Sequence, residues 1–178
     1  TAEYVEVIGK GENRTNMQVR LAALSDPEKQ TKFENCVADV NIPLGEVFTS
    51  PKLAGTNGIL NVGTVYIGDI QYRNLLMEFK DGRVVSAVCD NFAENGEIDK
   101  EAGHRLIVQG IMNGHEILLL GEFAIGTNTT AYAMAEKFGI LDRLPILIVE
   151  KMGPHFAVGD TCYSWSEDSP MYNPDGKE

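Results

Sequence analysis

The chain has 178 residues, with 26 acidic against 15 basic side chains and a net charge of −11. That length fits one domain and buries roughly two-thirds of its unfolded surface. The charge leaves no basic stripe for nucleic acid or an anionic membrane surface, and no apolar run approaches the ~18–20 residues of a membrane span. Acidity of this degree suits metal cations or the ammonium of an amino-terminal substrate.

Tyr4 to Ile8 reads as a strand ending at Gly9, and Met17 to Leu21 alternates apolar and polar with a period of two. Phe33 to Val40 is a further strand candidate, closed by Pro43. Gly63 to Ile67, Leu75 to Phe79 and Val84 to Val88 follow as strands. The last two flank Asp81-Gly82, a pair that favours a tight hairpin turn. Short antiparallel connections of this kind predict a β-rich α+β fold, a curled or barrel-like antiparallel sheet with about two helices.

The first helix is predicted from Ile98 to Met112, where apolar residues recur at helical spacing until Asn113-Gly114. The second runs from Thr130 to Phe138, capped by Asn128 or Thr129 and ended by Gly139. Leu144 to Val149 and Phe156 to Val158 read as strands again, and the chain turns polar after Tyr163.

Three segments carry ligand-type side chains among apolar neighbours. Gly45-Glu46 precedes Val47-Phe48, Gly121-Glu122 precedes Phe123-Ala124, and His155 stands between Pro154 and Phe156. Two carboxylates and an imidazole are the donors that zinc, cobalt or manganese would take. Taken singly, a Gly-Glu pair before a strand is ordinarily a turn with a solvated carboxylate, and a lone strand histidine is ordinarily a satisfied core residue. Cys36, Cys89 and Cys162 are widely spaced and odd in number, which fits buried thiols in the reducing cytoplasm.

The strings Asn41 to Pro51 with Asn57-Gly58, Gly121 to Gly126, and Glu150 to Gly159 resemble, in that order, three motifs of the aminopeptidase T and aminopeptidase S family of metallopeptidases. The resemblance implies that family's carboxy-terminal domain, one metal-ligand-bearing domain over 1–178, cut at both ends from a longer peptidase. An amino-terminal α/β domain would be missing, and a homodimer is the expected assembly. The family holds a pair of divalent cations with glutamates, histidines, an aspartate and a tyrosine. Carried over, Glu46, Glu122 and His155 are metal ligands, and Glu150 contacts the substrate amine or supports the ligands. The family tyrosine lies seven residues after its histidine; that position is Cys162 here, so Tyr163 serves as the ligand only through a one-residue bulge. The family's closing His-x-Asp motif is expected beyond Glu178.

The implied activity is metal-dependent removal of leucine-like amino-terminal residues from peptides, with the isolated chain inactive. A second reading is a catalytically silent binding or dimerisation module on the same scaffold. A third is an unrelated barrel enzyme using Glu46 and Glu122 as an acid–base pair.

Overall fold

Alternation of buried and exposed residues organises the first sheet of the computed structural model, which describes residues 2–36, 44–94 and 97–159. Strand β1 (Tyr4–Ile8) pairs antiparallel with β2 (Asn16–Arg20), whose Met17 and Val19 point inward and are fully buried. The long strands β5 (Asn57–Ile67) and β6 (Ile70–Lys80) form the centre, and β7 (Arg83–Val88) closes the order β1-β2-β5-β6-β7. The Asp81-Gly82 turn forms as expected, with φ of 47° and 67°. A second tight turn at Gly68-Asp69 joins β5 to β6, so both strands are longer than their apolar cores suggested. Tyr72, Leu75, Met77 and Phe79 of β6 supply the inner face.

Against that face packs α1 (Lys100–Ile107), capped by the Asp99 carboxylate, which accepts from the Glu101 and Ala102 N–H groups. The helix continues as a π-helical turn, Val108–Met112, and stops at left-handed Asn113, as the sequence predicts. Its start differs. Ile98 belongs to a small hairpin of β8 (Ala93–Glu94) and β9 (Glu97–Ile98), because Asp99 is the stronger starting signal.

The second sheet has the order β11-β10-β4-β3, from β3 (Glu34–Asn35), β4 (Glu46–Thr49), β10 (Leu120–Gly126) and β11 (Pro154–Val158). Of the strand expected over Phe33 to Val40, Glu34 and Asn35 are in β3, and residues 37–43 lie outside the described residues. An antiparallel bridge between Arg83 and Leu119 joins the β7 edge to the segment entering β10. The two sheets thus curl into a barrel-like wall that does not close. Phe123 and Phe156 face each other at 5.2 Å between ring centroids, and Phe156 packs onto the main core.

Helix α2 (Thr129–Phe138) forms where expected, with the Asn128 side chain accepting from the Ala131 N–H and Gly139 left-handed at its end. The strand expected over Leu144 to Val149 does not form. Pro145 starts a short helix α3 (Ile146–Val149), followed by a 3₁₀ turn, Glu150–Met152. Four consecutive apolar residues carry no period, and proline before them favours a helix start, where its missing N–H costs nothing. No helix among the described residues is long and apolar enough to cross a membrane.

Candidate metal centre

Strand register explains why three distant residues meet. Side chains of Glu122, Ala124 and Gly126 share one face of β10 by the two-residue repeat. His155 of β11 lies directly opposite Ala124, and Glu46 of β4 directly opposite Gly126, so both project from that same face. Between the two glutamates the face carries only a methyl group and a hydrogen, which leaves room for the longer side chains to lean together. The expected convergence of Glu46, Glu122 and His155 is met: their ligand atoms lie within 4.8 Å of one another.

His155 Nδ1 lies 3.2 Å from the Gly153 carbonyl oxygen, and donation of its proton there leaves Nε2 as a lone pair. Nε2 faces Glu46 Oε2 at 3.2 Å and Glu122 Oε1 at 3.6 Å. Two carboxylates and the imidazole nitrogen converge only with positive charge among them, supplied by a proton on His155 or by a bound cation. Glu46 Oε2 is buried, with His155 Nε2 at 3.2 Å and no well-aligned hydrogen bond, which is a place a cation would fill. Bonds of about 2.0–2.2 Å to a tetrahedral ion put neighbouring ligand atoms about 3.4 Å apart. The two separations from His155, 3.2 and 3.6 Å, have that scale, and with all three donor atoms within 4.8 Å a small side-chain shift lets them share a divalent cation.

Burial grades the three candidate donors. The Glu46 side chain is 6% exposed, His155 18% and Glu122 28%, so the solvent-open side is that of Glu122. Burial is the largest influence on Glu46 and pushes its carboxyl up, yet hydrogen bonds from Lys151 and Cys36 and the positive charges of Lys151 and His155 hold it below the usual range. Burial likewise pushes the His155 imidazolium down. Hydrogen bonds to Glu122 and the Gly153 carbonyl, with the charges of Glu122 and Glu46, outweigh it and raise the group.

Sequence reasoning missed Lys151. Its side chain is 1% exposed, with Nζ 2.6 Å from Glu46 Oε1 and 2.9 Å from Glu150 Oε1. Burial lowers its ammonium most strongly, but the two carboxylates more than compensate and raise it. A lysine following a glutamate ordinarily reads as a solvated pair; the apolar run on either side was the one available signal. Glu150 stands at the rim with Oε1 on this lysine, and is not in the three-residue cluster. Tyr163 and Cys162 lie outside the described residues.

Two carboxylates and an imidazole around one point, on a sheet face open at one side, are the donor set of a metal-dependent hydrolase. Comparison with known proteins agrees in class. The family described as thermophilic metalloprotease (M29) matches residues 2–168, and the chain belongs to that family. No curated protein matches it. Among solved structures it is similar to wild-type AmpT from Thermus thermophilus, at 19% identity with a TM-score of 0.53, over 85% of this chain and 35% of that one. The chain thus spans about a third of the length of that structure, and the likeness is one of fold.

Proposed function

We propose that the chain carries part of the active site of a metal-dependent aminopeptidase, which removes leucine-like amino-terminal residues from peptides. The single observation that carries this reading is the convergence of Glu46, Glu122 and His155, whose ligand atoms lie within 4.8 Å of one another. Family membership supports peptide hydrolysis, and the resemblance to aminopeptidases T and S supports the amino-terminal specificity. A bound divalent cation would polarise the scissile carbonyl and lower the pKa of a water at the open position.

The residues around it divide the remaining tasks. His155 is oriented by the Gly153 carbonyl and presents Nε2. Glu46 fixes the buried side of the centre, and Glu122 faces its open side. Glu150, tied by one oxygen to Lys151, keeps the other for the substrate's ammonium. Two ions, as the resemblance implies, need more donors than these three. The others, Tyr163 among them, would come from outside the described residues. The 35% coverage of the AmpT chain supports a further domain walling the cleft. A homodimer and a cytoplasmic setting belong to the same reading, supported by the resemblance and by the widely spaced thiols.

The test is release of p-nitroaniline from leucine p-nitroanilide by the whole protein, stripped of metal and then given zinc, cobalt or manganese. Activity should return only with metal, and Glu46→Gln should abolish turnover while leaving the circular dichroism spectrum unchanged. Full activity in Glu46→Gln, or no metal-dependent activity at all, would favour a binding module instead.

A further inference from the structure

Full burial of an ammonium strips its hydration shell and demands close compensation. Lys151 meets that demand with Glu46 Oε1 and Glu150 Oε1. Its backbone is pinned as firmly as its side chain. The Asn128 N–H donates to the Lys151 carbonyl at 2.9 Å, and the Gly126 N–H to the Gly153 carbonyl at 2.8 Å. Gly126 must lack a side chain, because a Cβ there would fall on the backbone of Glu150, Lys151 and Met152. The two oxygens of Glu46 are therefore divided: Oε1 receives the ammonium, and Oε2 faces the histidine.

We propose that Lys151 is a positioning residue of the metal centre, holding Glu46 by Oε1 so that the carboxylate offers a cation Oε2 alone. The inference rests on the metal-centre reading above and deepens it, since nothing in the ligand set itself calls for a lysine. A carboxylate free at both oxygens can chelate one ion or bridge two. One that is committed at 2.6 Å to an ammonium gives a single bond. The lysine also sets the charge of the site. Glu46, Glu122 and Glu150 with Lys151 leave two net negative charges, which one divalent cation neutralises.

Cobalt(II) titration of the metal-stripped chain, read by visible absorption, tests this on wild type, Lys151→Met and Asp99→Ala. Methionine keeps the length of the stem and removes the charge, so the ammonium no longer holds Oε1 and Glu46 can turn that oxygen toward the ion, with the Cys36 hydrogen bond its remaining tie. A higher coordination number should then cut the visible band of Lys151→Met by about half or more, since band intensity follows coordination geometry. Asp99→Ala lowers stability at α1, away from the site, and should keep the wild-type band. An unchanged band in Lys151→Met overturns the proposal and leaves the metal centre standing. An equal loss in Asp99→Ala overturns it too, because general destabilisation then suffices. Failure of wild type to bind cobalt overturns the metal-centre reading and this inference with it. A zinc-soaked crystal of wild type decides the case if Lys151→Met does not fold. The expected result is one Glu46–zinc bond through Oε2 with Oε1 still on Lys151; zinc held by both oxygens would overturn the proposal.

Discussion

If His155 holds a cation, a proton and the ion compete for Nε2. In the metal-free protein an imidazolium can satisfy Glu46 Oε2 and Glu122 Oε1 from Nε2, and its pKa is raised above the ordinary 6.5. A raised group stabilises the fold fully below its unfolded value and loses that contribution as pH rises through the folded one. The melting temperature of metal-free protein should therefore fall as pH climbs above 6.5, in step with the His155 ring titration followed by NMR. Metal affinity should run the other way. It should rise with pH through the same titration, with one proton released from His155 for each ion bound. A His155 midpoint at or below 6.5 would contradict the geometry.

Among the elements, the junction of β4, β10 and the Glu150–Met152 turn holds the site, and glycine makes it possible. Gly45 has φ of 122°, and its carbonyl accepts from the Thr127 N–H at 2.7 Å; Gly126 lets the lysine turn close over the strand end. Gly126→Ala should cost about 2–4 kcal/mol, the range for strained or overpacked sites, and should weaken metal binding. Gly139→Ala, in open space at φ 63°, should cost only about 1–2 kcal/mol and leave metal binding alone. Urea unfolding and calorimetry measure the two effects separately, and equal loss of metal binding in both would contradict this role for Gly126. Much at this scale was legible in the sequence. Alternation marked β2, apolar runs marked β1, the later halves of β5 and β6 and most of β7, and Asn113 and Gly139 ended their helices because both adopt left-handed backbone. The α3 helix was not legible, since four apolar residues without a period leave strand and helix equal. Nor could local sequence reveal Lys151 as buried, because the carboxylate that compensates it comes from β4 across the sheet. The three candidate ligands were legible as residue types in apolar company; their common face depended on a register that only pairing partners set.

Over the whole molecule, the five-stranded sheet and α1 carry most of the core, while the smaller sheet carries the site. An ion bound only by the folded chain must therefore stabilise the entire unit. At zinc concentrations about 100-fold above Kd that stabilisation is about 2.7 kcal/mol. For a chain of this size the melting temperature should rise by about 5–10 °C in scanning calorimetry. Glu122→Gln should remove most of the rise, and an equal rise in that variant would place the ion elsewhere.

Diffraction at the zinc edge from crystals soaked in zinc tests the central claim most directly. The expected result is an anomalous peak about 2.0–2.2 Å from Glu46 Oε2, Glu122 Oε1 and His155 Nε2 together. A peak away from these atoms, or none at saturating zinc, would contradict the assignment of this sheet face as a metal centre.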